Sequence, residues 1–333
     1  MPMVPMKQIL DEANKGGYGV GAYNVNNMEQ IQGILKAARE TGSPVIIQAS
    51  RGALKYTNLV YLKHLMMAAV EDNPDVKVVL HLDHGDKLET VKTAIDLGFT
   101  SVMIDGSLKE DGKTPRSFED NAAVTKEVVD YAHKYGVTVE GELGTLGGIE
   151  EHVAASVVLL TDPDEAKKFI EITGVDALAI AIGTSHGAYK FKATPTLAMD
   201  IVQKVHQLAP NTALVMHGAS SVPQELIAKV NKYGGKLPGA MGVPVSSIQE
   251  AIKLGIRKIN VDTDSRLAMT GAIREVFVEQ PQKFDPRDYL GPAREAVFQL
   301  VKSKMEAFGT AGHNGDYQPI TLADTKAFYA SKK

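Results

Sequence analysis

The chain alternates, almost from end to end, between short apolar runs and longer stretches whose apolar residues recur about every 3.6 positions. The short runs, rich in β-branched residues, fall at Tyr18–Tyr23, Pro44–Gln48, Val76–Leu82, Thr100–Ile104, Val137–Val139, Ala177–Ile182, Ala213–Met216 and Ile256–Val261. They read as strands. Helical spacing fills much of the rest, at Met28–Glu40, Leu88–Leu97, Asn121–Lys134, Asp164–Ile172, Thr196–Leu208, Pro223–Tyr233 and Val245–Leu254. Several of these stretches close on a glycine just before the next run, as in Tyr135-Gly136 and Thr173-Gly174, which suits a helix terminus. Repeated strand–helix units imply parallel strands with helical crossovers. About eight units predict an α/β fold of the (β/α)8 TIM-barrel type, which needs roughly 250 residues in its plain form. The surplus reads as a local insertion at Leu108–Phe118 and a C-terminal extension, Met269–Lys333, with a helical pattern at Pro292–Phe308 and a polar tail. No linker-like composition divides the chain, so residues 1–333 are expected to form one barrel domain. An open doubly wound sheet competes, but its glycine-rich fingerprint does not follow the first strand.

Composition narrows the function classes. The 333 residues contain no Cys, which removes disulfide frameworks, thiolate metal sites and cysteine nucleophiles. Lys and Arg number 36 against 40 Asp and Glu, so no basic field exists to hold nucleic acid or an anionic membrane. No apolar run approaches the ~20 residues that span a bilayer. Met1-Pro2-Met3-Val4-Pro5 lacks the basic start and apolar stretch of a signal peptide. The expectation is a cytoplasmic protein with neither nucleic acid nor membrane as partner.

In parallel barrels the chemistry gathers on the loops after the strands. The first two runs lead to Asn24 and to Ser50-Arg51; the third leads to Asp83-His84-Gly85-Asp86 and the fourth to Asp105. The fifth leads to Glu140 and Glu142, the sixth to Ser185-His186-Gly187, the seventh to His217-Gly218 and the last to Asn260-Val261-Asp262-Thr263. Singly, each histidine reads as a hydrogen-bonded structural residue. Three of them, His84, His186 and His217, each before a glycine at an equivalent position, point to a three-histidine metal site with an open coordination position. His81 is expected to pack in the barrel wall, and Asp86 to cap the following helix. Asp83 stands where it could exchange a proton with a bound substrate. Asp105 and Glu142 suit either a second metal position or hydrogen bonds from the histidines. Glu150 and Glu151 follow Gly147-Gly148, a loop from which an acid/base group could swing in. Glycine-rich turns after the last three strands offer backbone N–H groups to a phosphate, with Lys190 and Arg266 as nearby positive charge.

Four chemistries remain open on these residues: a metal-dependent lyase or isomerase acting on a phosphorylated ketose, a metal hydrolase, a Schiff-base lyase and a non-catalytic scaffold. The hydrolase lacks its His-Glu-x-x-His helix. The Schiff-base route has Lys258 as a candidate, but leaves the histidines without a purpose.

The segments Asp83-His84-Gly85-Asp86, Glu140 through Gly148, Gly183 through Lys190 and Asn260 through Arg266 resemble those of class II fructose-bisphosphate aldolases, in family order over nearly the whole chain. The resemblance implies a zinc-dependent barrel lyase of glycolysis and gluconeogenesis, a homodimer or homotetramer. Its reaction is reversible cleavage of fructose 1,6-bisphosphate into dihydroxyacetone phosphate and glyceraldehyde 3-phosphate. It implies catalytic zinc on His84, His186 and His217, and a second metal position at Asp105 and Glu142. A monovalent cation is a further possible cofactor. It assigns Asp83 to the C4 hydroxyl proton and Glu150 to acid/base work at C3. Asn24, Ser50, Gly187, Lys190, Gly218, Ser220, Asn260, Asp262 and Thr263 then form the substrate site, and Arg266 with a partner-subunit Arg287 meets the far phosphate. Aldolases specific for tagatose 1,6-bisphosphate share much of this pattern and are the alternative.

Overall fold

The computed structural model describes residues 3–109, 114–145, 147–148, 159–187 and 195–332. Eight parallel strands close a barrel in chain order: β1 (Val20–Asn24), β2 (Val45–Ser50), β3 (Val78–Gly85), β4 (Ser101–Ile104), β5 (Thr138–Leu143), β6 (Ala177–Ile180), β7 (Ala213–Met216) and β8 (Ile256–Val261). Closure is made by β1 against β8, with Val20 opposite Lys258 and Tyr23 opposite Val261. The eight expected strands are the eight barrel strands, and the open doubly wound sheet is excluded. Among the described residues, thirteen α-helices accompany them: α1 (Met6–Gly16), α2 (Met28–Thr41), α3 (Arg51–Thr57), α4 (Leu59–Asp72), α5 (Leu88–Asp96), α6 (Phe118–Ala132), α7 (Pro163–Thr173), α8 (Met199–Leu208), α9 (Gln224–Lys232), α10 (Val245–Leu254), α11 (Thr263–Glu279), α12 (Pro286–Phe308) and α13 (Leu322–Ser331).

Local chemistry explains several boundaries. Asn27 accepts the Gln30 N–H at the start of α2, Ser117 that of Asp120 at α6, and Asp162 those of Asp164 and Glu165 at α7, where Pro163 sets the first helical position. Outward-facing strand residues such as Ile47, Leu80, Val139, Leu178 and Val261 pack beneath the helices in one continuous core. Each such side chain, fully buried, contributes roughly 1.5–3 kcal/mol. The helix α12 lies along α2, and the approach depends on Gly33: a Cβ there would stand 2.9 Å from the Arg294 carbonyl oxygen.

Several features differ from the sequence reading, among them α3, α4 and α11, which fall where no helical stretch is predicted. An N-terminal helix, α1, closes the lower barrel mouth: Met6, Ile9, Leu10 and Ala13 join Val20, Ala22, Ile46, Val79, Ala177, Ala179, Ala213 and Val215 in an apolar floor. Met269, the expected start of the C-terminal extension, falls inside α11. The polar tail contains α13, whose Tyr329 stacks on His133 with ring centroids 3.5 Å apart. His133 also bonds Asp176, 2.9 Å away. Among the described residues no helix is long and apolar enough to cross a membrane.

Candidate active site

Alternation along a strand decides what enters the barrel. On β3, Val79 belongs to the apolar floor, so His81 and Asp83 rise above it on the same inward face. On β5 the inward pair is Glu140 and Glu142, on β2 Gln48 and Ser50, on β8 Lys258 and Asn260. Asp83 and His84 therefore lie within β3, and both glutamates within β5, rather than in loops after the strands. The apolar run Val137–Val139 stops short because charge interrupts it, yet the strand continues to Leu143.

His84 has a φ of +49°, in the left-handed region, where the β3–β4 pairing shifts register. Such backbone is uncommon for a side chain other than glycine or asparagine, and it re-aims the ring towards the mouth. His217 follows β7, and His186 ends a two-residue strand, Ser185–His186, paired with Gly147–Gly148. Ring centroids lie 4.7 Å apart for His84–His217, 5.2 Å for His84–His186 and 6.2 Å for His186–His217. One nitrogen from each ring lies within 4.8 Å of the other two. His84, Asp105 and Glu142 form a second cluster of the same tightness. His84 belongs to both: its Nε2 is 3.1 Å from His217 Nδ1, and its Nδ1 is 3.4 Å from Asp105 Oδ2 and 4.0 Å from Glu142 Oε2.

The electrostatics suit a cation. Burial pulls the His84 imidazole down, but Asp83, Asp105 and Glu142 outweigh it and hold the group well above its usual value. His217 is pushed well below, by burial and then by His84 and Lys258. Burial alone would raise Asp105, yet the hydrogen bond with His84 brings it to about 2. Glu142 is driven well above the usual carboxylate range by burial and by Asp105, and its Oε2 has no hydrogen-bond partner among the described residues. A buried carboxylate oxygen left over beside a second carboxylate and a three-imidazole cluster is the donor set a divalent ion satisfies. The residues fit the zinc that the family resemblance implies.

Asp83 is 4% exposed and accepts from three amides: Asn24 Nδ2 at 3.0 Å, Gln48 Nε2 at 3.2 Å and Asn260 Nδ2 at 3.2 Å. Burial raises it, but His84, His217, Lys258 and the Asn24 bond win and keep its carboxyl below the usual range. One cavity brings together Asn24, Asp83, the three histidines, Gly187, Gly218, Ser220, Asn260, Asp262 and Thr263. One side of it is built by a crossing of loops. The Asp262 N–H donates to Ser220 Oγ at 3.1 Å, and the buried Asp264 accepts from the N–H groups of Ser221 and Val222. Thr263 opens α11.

Among the described residues, Ser50, Arg266 and Arg287 are not part of this lining. Ser50 ends β2, and its hydroxyl accepts the Ala53 N–H at the start of α3. Arg266 is half exposed and pairs with Asp262 at 2.5 Å. Arg287 lies at the start of α12, 89% exposed, paired with Asp285. Glu150, Glu151 and Lys190 lie outside the described residues. Of the 108–118 segment, Leu108 bridges to Pro115, and residues 110–113 lie outside the described set. Asp86 does not cap α5, whose N-cap is Lys87; it accepts from Thr90 Oγ1 and pairs with Arg51.

A polar layer beneath the cavity is the part sequence reasoning missed. His81 is inside the barrel rather than in its wall, 2.8 Å from Ser101 Oγ through Nδ1, and burial with Lys258 holds it well below its usual value. Glu140 lies 2.7 Å from His217 Nε2 and pairs with Lys258 at 2.9 Å. Lys258 is fully buried in that pair and does not line the cavity, so its amine is not presented to a substrate there. The signal was available: each of Gln48, His81, Glu140 and Lys258 stands two positions before a site or mouth residue.

The family model described as "Fructose-bisphosphate aldolase class-II" matches residues 4–313. A fructose-bisphosphate aldolase of Giardia intestinalis is 60% identical over 331 residues, covering 99% of this chain and all of that one. One from Pseudomonas aeruginosa is 50% identical, covering 99% and 98%. The crystal structure of the YdjI aldolase from Escherichia coli superposes with a TM-score of 0.75 at 31% identity, over 94% of this chain and 99% of that one. Sequence match, closed barrel and converging histidines agree: the chain belongs to the class II fructose-bisphosphate aldolase family.

Proposed function

We propose that the chain is a zinc-dependent lyase that reversibly cleaves fructose 1,6-bisphosphate into dihydroxyacetone phosphate and glyceraldehyde 3-phosphate, in cytoplasmic glycolysis and gluconeogenesis. The observation that carries this reading is the single cavity in which three imidazoles, a carboxylate held below its usual pKa and glycine-bearing loops meet. His84, His186 and His217 would hold the metal, with Asp105 and Glu142 offering a second position around His84. Zinc bound there supplies Lewis-acid stabilisation of the negative charge left on the three-carbon ketone when C3–C4 breaks.

The protein's own groups do the rest. Asp83, ionised and fixed by three amides, takes the C4 hydroxyl proton as the aldehyde half departs. Glu150 returns a proton at C3. Gly187, Gly218, Ser220 and the 260–263 turn, at the N-terminus of α11, receive the ketone phosphate; a helix N-terminus favours an anion. Asn24 and Ser50 line the mouth, while Lys190, Asp262 and Arg266 meet the rest of the sugar phosphate. Arg287 of the partner subunit, in a homodimer or homotetramer, completes the far phosphate site. Fructose bisphosphate is favoured over its tagatose epimer by the relatives' names. A monovalent cation is a further possible cofactor.

The test is turnover of both hexose bisphosphates by metal-stripped protein before and after zinc is restored, with borohydride trapping in parallel. Zinc-dependent cleavage of the fructose ester without a trapped adduct is expected. Chelator-resistant turnover with a borohydride-trapped lysine would overturn the reading.

A further inference from the structure

Lys258 is completely buried and is not part of the cavity lining. It precedes Asn260 by two residues on β8, so both side chains point into the barrel, one layer apart. Its Nζ lies 2.8 Å from Asn260 Oδ1 and 2.9 Å from Glu140 Oε2. An ammonium has donors only, so the amide atom facing it must be oxygen. The amide nitrogen is thereby turned the other way, where it lies 3.2 Å from Asp83 Oδ1. The reverse orientation would set NH2 against an ammonium below and a carbonyl oxygen against a carboxylate above. Both contacts would be repulsive in a buried site.

We infer that Lys258 is a positioning residue: it fixes the direction of the Asn260 amide and so keeps an N–H donor at the cavity beside the proton-transfer carboxylate. The inference rests on the lyase reading above. It gives Lys258 a role in catalysis without contact with substrate, which the Schiff-base alternative could not. Asn24 and Gln48 also bond Asp83, and Gln48 Nε2 itself donates to Asn24 Oδ1 at 2.7 Å.

The test is a mutant cycle. Because Lys258→Met alone takes the ammonium away from the buried Glu140 carboxylate, the change is made together with Glu140→Gln, and the pair is compared with Glu140→Gln alone. Both are made with and without Asn260→Ala. Zinc content is measured by metal analysis and dihydroxyacetone phosphate binding by calorimetry. With Asn260 present, removing the lysine is expected to lower kcat roughly ten- to hundredfold and to weaken ketone-phosphate binding, at unchanged zinc content. In the Asn260→Ala protein the same change is expected to do nothing further. An equal loss whether or not Asn260 is present, or no loss in either, overturns the positioning role. Zinc-loaded unmodified protein that fails to cleave the fructose ester would instead end the reaction assignment.

Discussion

Replacing Asp83 by alanine separates proton transfer from metal binding. The carboxylate belongs to neither cluster of possible metal ligands. It is one of the charges that hold His84 above its usual pKa, so its removal lowers the proton's competition for that imidazole. Zinc content at neutral pH is therefore expected to be unchanged. Turnover is not. Loss of a positioned general base costs about 10²- to 10⁴-fold, or about 3–5 kcal/mol on the barrier. The fold also suffers: three amide donors lose a buried charged acceptor, from Asn24, Gln48 and Asn260. At about 1–3 kcal/mol for a buried group left unsatisfied, offset where the cavity admits water, the expected destabilisation is about 2–5 kcal/mol. Steady-state cleavage of fructose 1,6-bisphosphate, metal analysis and a denaturant melt on one preparation read all three. A variant turning over within tenfold of the parent would refute the proton-transfer role; one that lost its zinc would refute the separation of the two functions.

His217→Ala removes a ring from the three-imidazole cluster, and equilibrium dialysis should show zinc affinity falling at least tenfold; full occupancy under competing chelator would remove His217 from the ligand set. Zinc affinity should also fall as the solution is acidified. Ligation needs neutral imidazole, and His84 in the metal-free protein holds its proton above its usual 6.5, so competition begins at a pH above 6.5 and grows about tenfold per unit below the raised value. An affinity that stayed flat from about pH 8 to about pH 6 would contradict the clustered charges as the cause. At the opposite pole, Gly136→Ala should lower the melting temperature with zinc content intact. Gly136 has a φ of +76°, and an added Cβ would collide with the Leu322 carbonyl oxygen at the start of α13. A loss of about 1–3 kcal/mol is expected, and an unchanged melt would mean that the α13 contact yields without cost.

Legibility followed the range of the forces involved. The strands were readable because a run of β-branched apolar residues is a local property, and the barrel because eight such runs alternate with helical spacing. The helix α13 was not, since what holds it is a stack of Tyr329 on His133, far away in sequence. The helix α1 was missed for a similar reason: its apolar face means something only above the open floor of a barrel. On the mouth, His84, His186, His217 and Asp83 stood out because polar residues at strand ends carry a positional signal. Glu140 read as one more strand-end residue and Lys258 as a lone amine; that they pair with each other beneath the cavity was not legible, because a charge inside a strand looks like the end of one until its partner is known.

The sequence by itself determined the order of elements, the residues available to the mouth and, through its motifs, the family. Only the tertiary structure decided which polar groups meet. Charges can be buried at the centre of this barrel because closure brings β3, β5, β7 and β8 together, so that His81, Glu140, His217 and Lys258 neutralise or bond one another across it. Pairing of that kind depends on distance in space, and no local pattern along the chain contains it.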